Sequence, residues 1–403
     1  MVDLPLAEMI SVAEAIRLIE ENIHLLPPVS LPVSLAGRHV LAEDVLAQVS
    51  IPNFNQSAMD GYAFKYDDYL NAKEFTIVGE IAAGDNNTIL LNTGEAIRIF
   101  TGGAVPVSAD TVVMQEKTTV NAQKLTIKDE DLKIGTNVRT KGSEIRKGEL
   151  ALKKGTFLSP AGIGFLASIG VVDVRVYSKP KVQILVTGNE LQQPGVPLEY
   201  GQLYESNSVT LISALRQIGI TEITINHVKD DVGETTSMIT KALEQSELVL
   251  MSGGVSVGNY DFVVKAAENA GVTKLFHKVK QKPGKPLYAG VKGNKVLFGL
   301  PGNPASVLSC FYNYVIPAIQ QLTGIPQIIE RRILPLKNSY TKKPGLCFFL
   351  KGVFDNEGVS ILDAQESFRL SSFAIANCLV KLPEEETEFR RGQAVETMVL
   401  PYL

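Results

Sequence analysis

The stretch from Lys181 to Leu322 constrains the fold most strongly, because short apolar runs alternate along it with amphipathic segments. Apolar runs of strand length, such as Val182–Val186 and Leu248–Met251, are followed by longer segments with helical spacing. Strands that alternate with helices in this way build right-handed βαβ units around a mostly parallel sheet. Ligands of such sheets bind beyond the carboxyl ends of the strands, so the residues after each strand are the site candidates.

The sequences on either side of this stretch have a different pattern. Ser11 followed by Glu14 predicts a capped amphipathic helix that ends near Leu25. From residue 33 to 158 short apolar runs are broken by glycine, proline and asparagine, which predicts a β-rich region without a strong helix. Ser159 and Pro160 then predict a short helix, and β-type runs return after residue 324.

These patterns predict a multidomain protein of α/β and β type. We expect a helix and strand domain from residues 1–50 together with 141–178, with a β-rich inserted domain at 51–140. Residues 179–327 should form a three-layer βαβ domain, and residues 328–403 a small β-barrel-like domain.

Charge and composition exclude several classes of function. The net charge of −4 gives no overall attraction for nucleic acid or for an anionic membrane. No apolar run reaches the roughly 18 residues of a membrane helix, and no signal peptide is visible, so we expect a cytoplasmic protein. The three cysteines are too dispersed for a disulfide framework and are expected to be buried, and the scattered histidines argue against a zinc site.

Two glycine-bearing loops follow predicted strands, namely Thr187-Gly188-Asn189-Glu190 and residues 252–258, Ser-Gly-Gly-Val-Ser-Val-Gly. Backbone amides in such loops can approach and bind phosphate oxygens, although a purely structural tight turn remains the alternative for each loop. Neither loop has the spacing of a P-loop or of a dinucleotide-binding fingerprint. Pro301-Gly302-Asn303-Pro304 adds a predicted helix start, with Asn303 as the N-cap, at the same sheet edge.

A run of lysines without carboxylates lies between residues 274 and 285. Where it is extended, Lys278, Lys280 and Lys282 should project from one face, because side chains alternate along a strand. A solvated lysine face is the ordinary explanation of such a run. However, the stiff turn Lys282-Pro283-Gly284-Lys285 favours a role for both of its lysines opposite phosphates.

Carboxylates occupy the same predicted loops, namely Glu190, the pair Asp230-Asp231 and Asp261. Each of them alone is more often a cap or a surface charge than a ligand. Beside lysines and phosphate-type loops, however, they suit Mg²⁺ bridged to a phosphate, because Mg²⁺ prefers one or two carboxylates together with phosphate oxygens. No Ser/His/Asp or Cys/His arrangement offers a nucleophile.

Specific strings distributed in order along the whole chain resemble the molybdopterin molybdenumtransferase family, the MoeA type to which the gephyrin E domain is related. The strings that carry this resemblance are Asn55–Ala63, Thr101–Pro106, Val112–Glu116, Thr187–Leu191, Ser252–Gly258 with Asp261, Lys282–Pro286 and Gly299–Pro304.

The resemblance implies the last step of molybdenum cofactor synthesis. Adenylylated molybdopterin and molybdate would react with the assistance of Mg²⁺, and AMP would leave. The βαβ domain would be the molybdopterin-binding domain, and a homodimer would share each site between its subunits. Molybdopterin adenylyltransferase and molybdoenzyme apo-proteins are the implied partners, with no nucleic acid and no membrane.

Carried over by motif, the resemblance assigns roles to individual residues. The catalytic set is Asp60, Thr101, Glu144, Glu190 and Asp261, of which Asp261 and Glu190, together with Asp230, would hold the metal. The substrate-binding set is Thr187, Gly188, Asp230, Ser252, Gly253, Gly254, Ser256, Gly258, Lys278, Lys282, Lys285, Pro301, Gly302, Asn303, Lys351 and Ser371.

Two positions depart from the family pattern. Gly142-Ser143-Glu144 replaces a Gly-Glu-Asp segment, so that Glu144 would act with one methylene more of reach. Lys351 lies where the family often has arginine, which keeps the charge for an oxyanion contact but loses the bidentate fork.

Two other functions are compatible with parts of the sequence. The adenylyltransferase that makes the substrate shares the βαβ domain, but it would leave the flanking domains unexplained. A non-catalytic scaffold of the gephyrin type is the second alternative, and the absence of a long linker counts against it.

Overall fold

A computed structural model describes residues 9–85, 89–253 and 262–401, and the chain in it forms two compact units. The first unit comprises the described residues up to Val29, the short segment Arg38–Val40 and the chain from Val176 onward. The second unit comprises Ser30–Gly37 and Leu41–Arg175. No helix among the described residues is long and apolar enough to cross a membrane.

The elements before residue 178 are mostly short strands. They are α1 Val12–Asn22, β1 Pro28–Pro32, β2 Val45–Leu46, β3 Gln56–Ser57, β4 Gly61–Phe64, α2 Tyr66–Asn71, β5 Glu74–Ile81, β6 Glu95–Ile99, β7 Thr111–Met114, β8 Thr118–Asn121, β9 Lys124–Ile127, β10 Val138–Arg139, β11 Leu150–Leu152, α3 Pro160–Ser168 and β12 Asp173–Tyr177.

Strands and helices alternate in the central part. They are β13 Val182–Thr187, β14 Leu191–Gln192, β15 Leu203–Tyr204, α4 Asn207–Gln217, β16 Ile223–Val228, α5 Val232–Gln245, β17 Leu248–Ser252, α6 Phe262–Asn269, β18 Thr273–His277, β19 Gln281–Lys282, β20 Tyr288–Lys292, β21 Lys295–Leu300, α7 Pro304–Cys310 and α8 Ile316–Thr323.

The last elements are again mainly strands. They are β22 Arg331–Pro335, β23 Tyr340–Thr341, β24 Cys347–Asp355, β25 Gly358–Ile361, α9 Ser371–Ile375, β26 Cys378–Leu382, β27 Glu388–Phe389 and β28 Ala394–Val399.

The second unit is built on a six-stranded sheet in the order β7-β4-β6-β5-β9-β8. All four residues of β4 are buried, because apolar clusters pack on both of its faces. The sequence did not predict the helix α2, whose six residues are too few to show a helical period. The predicted helix after Ser159 is confirmed: its hydroxyl accepts a hydrogen bond from the amide of Gly162 at 3.2 Å.

The central sheet confirms the predicted βαβ organisation. Its order is β16-β13-β17-β21-β20-β18, and the first four strands are parallel. Leu185, Val249 and Leu297 on these strands pack toward α5 and α6, whereas Ile184, Leu250 and Phe298 belong to the cluster with α4, α7 and α8. Helices therefore cover both faces, as expected for buried parallel strands.

The helix α1 is capped as predicted, since the Ser11 hydroxyl accepts from the Glu14 amide at 3.1 Å. It ends at Asn22 rather than near Leu25, because the backbone becomes extended at Ile23. The Leu26 amide then donates to the Leu322 carbonyl at 2.8 Å instead of continuing the helix. Its buried face packs against α8, in the unit that contains the central sheet. The predicted boundaries group this helix with residues 141–178 instead.

The C-terminal sheet has the order β19-β24-β26-β28-β22, with β25 beside β24. Its first member, β19, comes from the central part of the chain and pairs parallel with β24, so that Lys282 lies opposite Phe348. The three cysteines are buried as expected, Cys310 on α7 and the other two on β24 and β26.

Candidate functional site

The parallel strands of the central sheet end level with one another. Thr187 pairs with Val228 across β13 and β16, and Ser252 pairs with both Val186 and Leu300 on its two neighbours. The structure therefore brings the predicted strand-end segments to one edge of the sheet. These segments are Gly188 and Glu190 after β13, Asp230 after β16, Gly253 after β17, and Pro301, Gly302 and Asn303 after β21.

The lysine run reaches the same edge through β18. This strand is antiparallel to β20, which is antiparallel to β21, so β18 has the direction of the parallel strands. Its last residue, His277, lies opposite Tyr288, and Tyr288 lies opposite Gly299 near the end of β21. The segment Lys278–Lys285 therefore begins at the carboxyl edge, whereas Lys274 lies near the opposite end of β18.

The turn after β17 packs directly against the end of β13. Gly253 has a φ of 91°, and a Cβ at this position would lie 2.5 Å from the Thr187 carbonyl oxygen and 2.9 Å from its Oγ1. Only glycine allows both this backbone conformation and this approach. The Gly253 amide also donates to the Leu300 carbonyl at 3.4 Å, which ties the end of β17 to the end of β21.

Asn207, the first residue of α4, joins two of these strand ends. Its Nδ2 donates to Ser252 Oγ at 2.9 Å and to the Gly302 carbonyl at 2.8 Å. The preceding Glu205 is buried, and its carboxylate accepts from the amide and the hydroxyl of Ser208, which fixes the start of the helix. Sequence reasoning missed the role of Asn207 because its two partners lie 45 and 95 residues away.

Two oxygens at this edge are buried and have no hydrogen-bond partner among the described residues, Thr187 Oγ1 and Asn207 Oδ1. The two residues are only 3% and 9% exposed. The two bonds donated by Asn207 Nδ2 fix the orientation of the amide, and its oxygen can act only as an acceptor. Buried polar atoms normally have partners, so this edge suits a ligand that carries N–H or O–H donors.

Asn303 occupies the predicted N-cap position of α7, but its side chain does not cap the helix. Its Nδ2 donates instead to Ser367 Oγ at 3.0 Å, and the Ala305 amide donates to the Ser367 carbonyl at 3.1 Å. The Ala305 amide near the start of α7 is therefore not free to bind an anion. A loop of the C-terminal region uses that amide.

The lysine run is not one continuous strand. Lys278 has a φ of 72°, which separates β18 from the extended piece that follows. Beyond it the predicted alternation holds, since Val279 and Gln281 are buried, Lys280 is half-buried and Lys282 is exposed.

Lys282 and Lys285 differ in their surroundings. Lys282 Nζ lies 5.2 Å from the centroid of the Phe348 ring, and Lys342 Nζ lies 5.3 Å from the same ring. Lys285 is half-buried, and its carbonyl accepts from the Val279 amide at 3.0 Å. The turn between the two lysines begins with a cis peptide bond before Pro283.

Lys351 is directed into its own domain. The side chain is only 2% exposed, and its ammonium donates to the carbonyls of Ala364 at 2.8 Å, Arg369 at 3.0 Å and Glu366 at 3.5 Å. Burial lowers the pKa of this lysine. The expected oxyanion contact is therefore replaced by support of the loop at 364–369, after which Ser371 begins α9.

The predicted metal ligands lie partly outside the described residues. Glu190 and Asp230 are exposed, and they follow the neighbouring strands β13 and β16. The neighbouring Asp231 is a helix cap, because its Oδ1 accepts from the Glu234 amide at 2.8 Å. Among the described residues no three His, Cys, Asp or Glu side chains gather as a metal cluster. The predicted site residues Gly254, Ser256, Gly258 and Asp261 lie outside these residues.

In the second unit, the loops that begin near Asn55 and Arg98 are bonded to each other. Asp60 Oδ1 accepts from the amide of Thr101 at 2.7 Å and from its hydroxyl at 2.6 Å, and these bonds lower the pKa of Asp60. The Gly102 amide donates to the Ser57 carbonyl at 2.9 Å. The structure thus joins two of the predicted catalytic residues.

Glu144, the remaining predicted catalytic residue of the second unit, is exposed. Its amide donates to the Ile51 carbonyl at 3.0 Å, which holds the segment that departs from the family pattern against residue 51.

Comparison with known families gives an independent result for each part of the chain. Residues 10–170 match the model of the MoeA N-terminal region, domains I and II. Residues 183–321 match that of a probable molybdopterin binding domain, and residues 334–400 match the MoeA C-terminal region, domain IV.

Comparison with whole proteins decides the family. The chain is 33% identical over 371 residues to the molybdopterin molybdenumtransferase of Haemophilus influenzae, covering 89% of this chain and 91% of that protein. The chain belongs to the molybdopterin molybdenumtransferase family. The Staphylococcus aureus (strain Mu50) member is 31% identical over 403 residues, covering 97% of this chain and 95% of that protein.

Solved structures agree with this assignment and with the predicted fold class. The molybdopterin biosynthesis MoeA protein of Pyrococcus horikoshii superposes with a TM-score of 0.81 at 28% identity, covering 97% of this chain and all of that one. The family is one of transferases, and the carboxyl-edge residues from Thr187 to Asn303 fall within the match to the molybdopterin binding domain.

Proposed function

We propose that the chain inserts molybdenum into molybdopterin, with molybdate and adenylylated molybdopterin as substrates, Mg²⁺ as the metal and AMP as the leaving group. The relatives' name supports the transfer itself. One structural observation carries the assignment to a site: Asn207 joins the turns after β17 and β21 within the segment that matches a molybdopterin binding domain. The segment 278–285 begins at the same edge, and its last four residues, 282–285, form what we call the lysine turn.

The anionic part of the substrate is assigned to the lysine turn. A phosphoanhydride carries several negative charges, and the chain as a whole, at −4, repels them. Lys282 and Lys285 supply local positive charge on a turn held by backbone bonding. Because the backbone of the turn is held, both ammonium groups stay near one place, where they can neutralise charge on the substrate.

The pterin ring is assigned to the buried acceptors at the sheet edge. Pterins carry N–H donors and ring acceptors, and among the described residues neither the Asn207 Oδ1 acceptor nor the Thr187 hydroxyl, which can accept and donate, has a partner. A polar ligand there would pair oxygens that have no partner among the described residues, which gives the edge a preference for rings with N–H groups over hydrocarbon rings.

The residues present fit Mg²⁺. Glu190 and Asp230 are exposed carboxylates beyond adjacent strand ends, and such a pair together with substrate phosphate oxygens is the donor set that Mg²⁺ prefers. When bound, the ion would add positive charge at the phosphoanhydride. Asp261 is proposed as a third ligand by its motif.

Asp60 is proposed as a catalytic residue of the second unit. Both hydrogen bonds from Thr101 reach Oδ1, so the carboxylate stays ionised at neutral pH and its orientation is fixed. Oδ2 is then the oxygen that can accept a hydrogen bond from the substrates. Glu144 is proposed as a further catalytic residue of the second unit on the basis of its motif.

The function is tested by incubating the protein with adenylylated molybdopterin, molybdate and Mg²⁺ and measuring AMP release. Lys285→Ala should raise the KM for adenylylated molybdopterin at least about tenfold, the scale of one charge-assisted contact. Lys274→Ala is the matched control, because this exposed lysine of the same run lies toward the other end of β18, and its KM should change less than about twofold. Failure to release AMP would refute the proposal. Transfer of AMP from ATP to molybdopterin would favour the adenylyltransferase instead.

We further propose a homodimer in which each site is shared, with Asp60 from one subunit and Lys282 from the other. Its support is the family resemblance and the presence of these residues in different compact units. Hybrid dimers of Asp60→Asn and Lys282→Ala chains should regain part of the activity that each variant lacks. Mixtures that exchange subunits and remain inactive would contradict the shared site. Molybdoenzyme apo-proteins are proposed as recipients of the product.

A further inference from the structure

The helix that is predicted to start at Pro304 contains a π-helical turn. The α-helical segments α7 and α8 are joined by Phe311–Val315, whose hydrogen bonds follow the wider π pattern. Such a turn adds one residue and rotates the side chains around it, and π turns of this kind are frequent at functional sites. Tyr314 lies within this turn and is completely buried.

Tyr314 begins a chain of buried hydrogen bonds that ends in the lysine turn. Its hydroxyl donates to Gln281 Oε1, and Gln281 Nε2 donates to the Gly284 carbonyl at 2.9 Å. The same nitrogen lies 3.5 Å from Cys310 Sγ. Gln281 is fully buried and directly precedes Lys282, so one side chain links the π turn to the middle of the lysine turn.

Gly284 packs against the helix at close range. It has a φ of 87°, and a Cβ there would lie 2.5 Å from Cys310 Sγ and 2.9 Å from Gln281 Nε2. The lysine turn therefore packs directly against α7, and the Gly284 carbonyl accepts a hydrogen bond from the buried Gln281 amide. Both lysines flank this anchored point.

A purely structural role explains the arrangement less well. Buried hydroxyl and amide groups contribute little net stability, because their bonds mainly replace bonds to water, and apolar side chains of similar size would fill the same space. What the polar chain adds is direction, since it fixes the Gly284 carbonyl relative to the helix.

We propose that Gln281 and Tyr314 are positioning residues for substrate binding, which hold Lys282 and Lys285 where they meet the anionic group of the substrate. The role rests on the proposed function of those lysines. Neither positioning residue touches the substrate. Their effect on catalysis passes through the lysine turn.

The test compares two tyrosine variants that each lose one buried hydroxyl. Tyr314→Phe removes the donor to Gln281, whereas Tyr288→Phe removes a hydroxyl that has no hydrogen-bond partner among the described residues. Tyr314→Phe should raise the KM for adenylylated molybdopterin about fivefold to tenfold and change kcat less than about threefold. Tyr288→Phe should leave both values within about twofold.

A double-mutant cycle separates positioning from a general loss of stability. If Tyr314 acts through the turn, its substitution should raise KM less than about twofold in a Lys285→Ala background. Titration of the protein with inorganic pyrophosphate by calorimetry should show the same loss of affinity and the same lack of additivity. Gln281→Met provides a second variant for the same cycle.

The outcomes distinguish the two proposals. Wild-type protein that does not release AMP, or a Lys285→Ala variant with unchanged KM, would remove the function of the turn and with it this role. The wild-type protein can instead be active and the Lys285→Ala variant impaired. In that case the positioning role alone would be overturned if Tyr314→Phe changed KM no more than Tyr288→Phe does, or if its effect on KM added fully to that of Lys285→Ala.

Discussion

Replacing Asn207 with alanine should destabilise the protein by about 2–3 kcal/mol. The substitution removes the bonds to Ser252 Oγ and the Gly302 carbonyl, each worth about 1 kcal/mol net. The Gly302 carbonyl is left without this donor, which adds about 1–2 kcal/mol, while loss of Oδ1, which has no partner in the described part of the chain, returns about 1 kcal/mol. Because this side chain joins the start of α4 to the ends of β17 and β21, substrate binding should weaken together with stability.

The chain contains no tryptophan, so urea unfolding is best followed by far-ultraviolet circular dichroism. Asn71→Ala is the control: this exposed asparagine makes a single bond to the Asp67 carbonyl at 3.0 Å, and its loss should cost less than about 0.5 kcal/mol. Asn207→Asp has the same shape but places a carboxylate oxygen against the Gly302 carbonyl, so it should be at least as destabilising as alanine. Equal unfolding midpoints for the Asn207 variants and the wild type would refute the reasoning.

Three further perturbations test other parts of the structure. Gly253→Ala should lower the unfolding free energy by at least about 3 kcal/mol, because its Cβ would meet the Thr187 carbonyl. Gly84→Ala, at a similar φ of 90° but without a described neighbour within 4 Å, should lower it by only about 1 kcal/mol. If the two variants have the same urea midpoint, the contact with Thr187 is not the cause. Lys351→Met keeps the aliphatic length but leaves three carbonyls without their ammonium donor, so thermal unfolding should show a loss of about 2–4 kcal/mol, and a neutral result would mean that water replaces it. Burial and two neighbouring lysines lower the pKa of His277 from 6.5 to about 4, so as the pH falls the unfolded chain binds this proton before the folded chain does. The unfolding free energy should therefore drop by at most about 3 kcal/mol between pH 6.5 and pH 4, and the His277→Gln variant should lack this part of the drop.

Features that depend on neighbouring residues could be predicted from the sequence. Ser11 and Ser159 cap their helices as expected, because each bonds an amide three residues ahead. The order of strands and helices in the central part followed from apolar periodicity in the same way. The predicted convergence of the loops after Thr187, Ser252 and Leu300 was correct because parallel strands place their carboxyl ends at one edge.

Features that depend on distant residues could not be predicted in this way. Asn303 has the residue type and position of an N-cap, yet its side chain donates a hydrogen bond to a hydroxyl 64 residues further along the chain. Lys351 was expected at an oxyanion, but carbonyls 13 to 18 residues away surround its ammonium. Asn207 and Gln281 show no local pattern at all, since their partners meet them only in the folded chain.

The pairing of β19 with β24 has a consequence for how the protein can be divided. The segment that carries Lys282 is a strand of the C-terminal sheet, although it lies well inside the central part of the sequence. A fragment cut near residue 327 would keep both lysines but lose the strand that pairs with β19 and the Phe348 ring beside Lys282. If the lysines bind the anion as proposed, that binding depends on two sequence regions together, the central part of the chain and the last 75 or so residues.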